Sequence, residues 1–261
     1  MSAELEMLSV SREQDAGFRA LADVAALTAG IGAEHRILGG NMVGVLLAVF
    51  EVTGVPARDT ADADVGAPFE VLADPRLVPA LRGAGYRQEA GNRFVRDSGG
   101  LTLAIDLLAP SYTSRHQPNQ PHGELIVDEV PGLSLALRPP GLPVRVTAEL
   151  STGERLDFTV SLPEPRAALA VKALAWNSRA ARRDAIDVWR LLEVAAVAGL
   201  TPADWPERGG TGDARLVLAR DFGRFTGAGA RAASGDRRTR LRISALVAAH
   251  VVAQDGVRPA G

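Results

Sequence analysis

The sequence predicts an α+β chain, with strands and helices interleaved over residues 1–162 and helices alone over residues 163–261. Three observations carry this. Apolar residues recur at helical spacing in several segments. Short runs in the first part alternate in character and are bounded by Gly, Pro or Ser. After Pro163 and Pro165 that alternation stops, and Ala- and Leu-rich segments take over.

Taken in order, Phe18, Leu21, Ala25 and Leu27 mark a helix over Phe18 to Ile31. Arg36 to Leu38 is a strand-like step into Gly39-Gly40, and Asn41 to Val52 reads as a buried helix capped by Asn41 and broken by Gly54 and Pro56. Ala61 to Val65 alternates acids with small apolar residues, the period of a strand with two different faces. Pro75 to Arg82 predicts a short helix with Asp74 as its cap, Pro75 at its first position and Gly83 at its end. Phe94 to Arg96 and Leu101 to Leu108 form a hairpin across Ser98-Gly99-Gly100, and Val144 to Leu150 pairs with Arg155 to Val160 through Thr152-Gly153. Helices follow at Arg166 to Trp176, Arg182 to Val197, Ala214 to Phe222 and Thr239 to Ala253.

Composition narrows the class. The 261 residues include no Cys, and 29 Lys+Arg against 31 Asp+Glu give a formal charge of -2. A disulfide scaffold, thiol chemistry and Cys-ligated zinc are excluded, and a basic coat for nucleic acid is disfavoured. The apolar run Met42 to Phe50 is far short of a membrane span, and the acidic start Met1 to Glu6 is unlike a signal peptide. A cytoplasmic protein with no membrane partner is expected. All the basic residues but one are Arg. The exception, Lys172, either survives where a planar guanidinium cannot replace a compact ammonium or is a chance remnant.

The chemistry concentrates in Arg58-Asp59-Thr60-Ala61-Asp62-Ala63-Asp64-Val65. In a strand Asp62 and Asp64 project from one face, and carboxylates that close repel unless a cation neutralises them. Oxygen-only ligands suit Mg²⁺. The other reading is a solvated edge strand. Upstream, Leu38-Gly39-Gly40 stands at a strand-to-helix step, where glycines admit a phosphate to backbone amides or simply make a turn. Downstream, Asp106 interrupts the apolar strand Leu103 to Leu108, an expensive position unless it is paired or a third metal ligand.

In the second part, Asp184, Asp187, Val188, Leu191, Leu192 and Ala195 fall on one helical stripe. Both acids therefore face inward and need Lys172, Arg183, Arg58 or a ligand, either as a structural clasp or as part of a site.

The ordered set of Gly-Gly, Arg-x-Thr-x-Asp-x-Asp and a third strand acid resembles the DNA polymerase β-like nucleotidyltransferase superfamily. Ala170-Val171-Lys172-Ala173-Leu174 followed by Arg182-Arg183-Asp184-Ala185-Ile186-Asp187-Val188-Trp189 is similar to the AbiEii/MenT toxin nucleotidyltransferases. The resemblance spans Ile37 to Leu192 and departs at Asn41, where the family more often has a small hydroxylic residue. It implies a mixed sheet with flanking helices followed by a helical domain carrying Lys172. Asp62, Asp64 and Asp106 would hold Mg²⁺, with Mn²⁺ as a substitute, and Asp106 would bind a second ion or deprotonate the acceptor hydroxyl. Gly39, Gly40, Arg58, Thr60 and Lys172 would bind the NTP, with Asp184 or Asp187 as partner of Lys172. The implied acceptor is a tRNA 3′ end, and the implied partner a cognate antitoxin. Transfer to a small-molecule or protein hydroxyl, or a silent binding module, remains open, as does a metal-dependent glycosyltransferase.

Gly212 to Arg242 holds eight Arg against three Asp, a patch that suits a polyanion, with Phe222 and Phe225 in reach of bases; a solvated helix surface is the alternative. Gly227-Ala228-Gly229 reads as a loop, and Trp176, Trp189 and Trp205 as core. His35, His116, His122 and His250 lack metal spacing, His116 and His122 falling in a Pro-rich loop. No phosphate-loop motif is present.

Overall fold

The computed structural model describes residues 3–56, 58–113, 115–138 and 140–252. The chain forms two compact units, Met1–Glu164 and Pro165–Gly261.

The first unit is built on two sheets. In chain order its elements are β1 (Ala3–Leu8), α1 (Arg12–Ile31), β2 (Arg36–Ile37), α2 (Gly39–Val49), β3 (Asp62–Gly66), α3 (Phe69–Leu72), α4 (Leu77–Gly83), β4 (Arg87–Gln88), β5 (Arg93–Ser98) and β6 (Leu101–Ser111). There follow β7 (Gln117–His122), β8 (Leu125–Pro131), α5 (Leu133–Ala136), β9 (Leu142–Glu149) and β10 (Arg155–Leu162). The larger sheet runs β2-β3-β6-β5-β4, with β8 joining β6 and β7 joining β8. It is mixed: β3 and β8 run parallel to β6, while β5 is antiparallel to it. The smaller sheet has the order β1-β9-β10, with β1 parallel to β9. Helix α1 lies against β3, β6 and β10 and buries Phe18, Leu21 and Val24. This is the α+β architecture that the sequence predicts.

Local departures from expectation have physical causes. Helix α1 starts six residues before Phe18, because Ser11 caps it by accepting from the Gln14 amide and Gln14 Oε1 accepts in turn from Val10 N. Asn41 does not cap α2. It lies inside the helix, which begins at Gly39, and its Nδ2 donates to the Asp62 carbonyl at 2.8 Å. Asp74 accepts from the Arg76 amide, so a turn precedes α4 and Pro75 is not its first residue. The acidic start is a strand, β1, whose glutamates are exposed on the sheet's outer face. His122 ends strand β7, where the sequence suggested a loop; its ring stacks on Phe69 and pairs with Glu129.

The second unit is helical: α6 (Pro165–Arg179), α7 (Arg182–Val197), α8 (Gly209–Asp221), α9 (Ala228–Ala233) and α10 (Arg237–His250), with a 3-10 turn at Pro202–Asp204. The α7 stripe is realised in full, with Val188, Leu191, Leu192 and Ala195 entirely buried. Gly227 caps α9, so the expected loop there is a helix start. Trp176 and Trp205 are core; Trp189 is half-buried. The last expected helix includes Ala253, which lies outside the described residues. Among the described residues no helix is long and apolar enough to cross a membrane.

Candidate active site

Strand β3 sorts its residues by the two-residue period: Ala63 and Val65 are buried, while Asp62 and Asp64 share the opposite, half-buried face. The parallel pairing of β3 with β6 sets Asp64 opposite Asp106. Oxygens of Asp62, Asp64 and Asp106 then lie within 4.8 Å of one another. Three carboxylates this close form a donor set for a hard divalent cation, and the charge they accumulate is what such an ion would offset.

Next to the triad, α2 begins. Gly39 has φ +65°, and a Cβ there would run into the Asp64 carboxylate. A Cβ on Gly40 would meet Thr60 Oγ1 and the Arg58 guanidinium. The glycine pair is therefore what allows a helix N-terminus to stand against the acidic strand. Leu38 N donates to the Asp64 carbonyl at 2.8 Å and fixes the approach. Thr60 is buried and its hydroxyl has no hydrogen-bond partner, which leaves an orphaned polar atom beside the helix start.

Arg93 is the residue that sequence reasoning missed. Its Nη1 donates to Asp106 Oδ2 at 2.5 Å and stands 3.9 Å from Asp62 Oδ2. The hairpin signal would have found it. Once Ser98 pairs with Leu101 across Gly99-Gly100, counting back along both strands sets Arg93 against Asp106.

Burial first, then the neighbouring Asp64 charge, pushes the Asp106 carboxyl up to about 6; Arg93 pulls the other way and Asp62 adds to the rise. Because this value lies above the ordinary carboxyl range, the folded chain holds more protons than the unfolded one between about pH 4 and pH 6. Stability therefore declines as pH rises through that window. Asp106→Asn keeps an acceptor for Arg93 without the charge. We expect it to gain about 1–2 kcal/mol at neutral pH without divalent cations, partial solvent access trimming the effect, and to flatten the pH dependence. Chemical denaturation across that pH range measures both.

In the helical unit, Lys172, Asp184 and Asp187 are buried together with Arg190. Lys172 Nζ lies 2.8 Å from Asp187 Oδ2, and Arg190 Nη1 lies 3.3 Å from Asp187 Oδ1. Arg179 forks onto Asp184, Nε at 2.6 Å and Nη2 at 2.8 Å. Although burial raises the Asp184 pKa, Arg179, and beyond it Lys172 and Arg183, hold the carboxyl below its usual range. Arg179 and Arg190 were not foreseen as partners; Arg190 lies one helical turn after Asp187 on α7, a spacing the sequence carried, whereas Arg179 ends α6 and reaches Asp184 in the first turn of α7. The site residues thus form two clusters: Gly39, Gly40, Arg58, Thr60, Asp62, Asp64 and Asp106 in the first unit, and Lys172, Asp184 and Asp187 in the second.

The basic segment is only partly as expected. Arg220, Arg224, Arg231, Arg237, Arg238 and Arg242 are all exposed, but Arg220 pairs with Asp221 and Arg242 with Glu193. Phe222 is fully buried edge-on against Trp176 and is no stacking platform; the Arg237 guanidinium covers the Phe225 ring at 5.5 Å.

No family model and no curated protein matches the chain. Among solved structures, it is similar to an antigenic nucleotidyltransferase-like protein from Paracoccidioides brasiliensis, at 15% identity and a TM-score of 0.48, over 93% of this chain and 95% of that one. It is also similar to the solution structure of the antibiotic-resistance factor ANT(2″)-Ia, at 14% identity and a TM-score of 0.34, over 89% of this chain and 91% of that one.

Proposed function

We propose that the chain is a nucleotidyltransferase that moves NMP from an NTP to an acceptor hydroxyl. One observation carries the reading: three carboxylates from adjacent strands converge beside a Gly-Gly helix start with an orphaned buried hydroxyl. Mg²⁺ or Mn²⁺ held by Asp62, Asp64 and Asp106 would neutralise phosphate charge and acidify the attacking hydroxyl. The first-turn amides of α2, the Thr60 hydroxyl and Arg58 bind the phosphate tail. Asp106 would take the acceptor proton as the new O–P bond forms at the α-phosphorus and the bond to pyrophosphate breaks.

The finer reading is an RNA acceptor, a tRNA 3′ end, with the protein acting as a toxin countered by a cognate antitoxin. Its support is the sequence resemblance and the exposed Arg series of the helical unit. A small-molecule or protein hydroxyl is the second reading, favoured by the burial of Phe222 and the covering of Phe225, which remove the bases' stacking partners. Incubation with each α-labelled NTP, Mg²⁺ or Mn²⁺ and bulk RNA separates them. Label on tRNA is the expected result. Label on protein or on small molecules selects the second reading, and no label with any NTP leaves a silent nucleotidyltransferase-like module.

A further inference from the structure

The carboxylate triad already has a cation of the protein's own. Arg93 opens β5 and reaches across β6, its Nη1 lying 2.5 Å from Asp106 of β6 and 3.9 Å from Asp62 of β3. On its other side the same guanidinium meets Glu89, with Nε 3.4 Å from Oε2. Its acceptors thus differ in depth: the Asp106 side chain is 15% exposed, Glu89 48%. A planar, permanently charged group standing between an inner and an outer carboxylate can exchange one for the other by a side-chain rotation, without moving the backbone.

An incoming divalent ion needs the oxygens that Arg93 holds. We propose that Arg93 is a tethered competitor for the triad: it occupies the Asp62–Asp106 side as a resident monovalent counter-ion and passes to Glu89 when a divalent ion enters. It therefore sets how tightly the triad binds divalent ions. The inference rests on the metal reading of the triad given above. With Arg93 in place the cluster carries three negative charges and one positive; Arg93→Gln leaves three negative charges alone. At a separation of about 5 Å in a water-like dielectric, one unit charge acting on a divalent ion corresponds to about a tenfold change in affinity. Glu89→Gln removes the outer acceptor, holds Arg93 on Asp106, and shifts affinity the opposite way.

The test is Mn²⁺ binding to the full chain without nucleotide, followed by electron paramagnetic resonance of free Mn²⁺, for the native protein, Arg93→Gln, Glu89→Gln and Asp64→Ala. Arg93→Gln should bind about tenfold tighter, Glu89→Gln several-fold weaker, and Asp64→Ala should lose the site. If the native protein binds no Mn²⁺, or Asp64→Ala binds as well as native, the metal reading itself falls. Should native protein bind and Asp64→Ala fail while Arg93→Gln is unchanged or weaker, only the competitor role is overturned. If Arg93→Gln does not fold, Glu89→Gln decides alone: weaker binding supports the role, and unchanged binding refutes it.

Discussion

Asp64→Ala should reduce nucleotidyl transfer by about a thousandfold or more, equivalent to roughly 4 kcal/mol of transition-state stabilisation, with the fold intact. Asp64 is the central member of the triad: it pairs in register with Asp106, shares a face with Asp62, and lies against the first residue of α2. Its loss removes an oxygen ligand from the middle of the donor set. Stability should not suffer, because one of three mutually repelling charges is gone. Label incorporation and a thermal melt on the same preparation distinguish the two effects. Transfer that persists at the native rate would dissociate the triad from the reaction.

Asp187→Asn carries the largest expected stability effect, about 3–5 kcal/mol of lost folding free energy. Asp187 is fully buried and accepts from two buried cations, Lys172 and Arg190. Neutralising it leaves both without the carboxylate they share. Lys172→Met should cost less, since it leaves the Asp187–Arg190 pair in place. Urea melts of the two variants give the order. An Asp187→Asn protein as stable as native, or less harmed than Lys172→Met, would mean that the shared carboxylate is not what holds α6 to α7. The comparison also isolates any role of Lys172 in transfer: a loss of activity exceeding that explained by the unfolded fraction belongs to the ammonium itself.

Much of this was legible in the sequence because it depends on local period. The two-residue alternation around Asp62 and Asp64 and the i, i+3 spacing of Asp184 and Asp187 each determine a face, and the faces came out as read. The helical core could be read for the same reason. What stayed hidden depends on pairing between distant segments. β1 is a strand because β9 lies parallel to it, not because six residues with two exposed glutamates prefer extended backbone. Asn41 looked like a cap until the Asp62 carbonyl, twenty-one positions away, claimed its amide. Phe222 looked available for bases because Trp176, which covers its edge, lies forty-six positions earlier. Arg93 is the intermediate case, visible only once the turn between β5 and β6 fixes which residues oppose one another.

A further consequence follows from the lone lysine. With the ε-ammonium of Lys172 clasped by Asp187 and only 6% of its side chain accessible, acylating reagents and lysine-modifying enzymes find no ready target on a side chain of the folded protein. Its reaction rate with an amine-directed probe becomes a clock for the opening of α6 from α7, reporting the breathing of one helix pair without any engineered label.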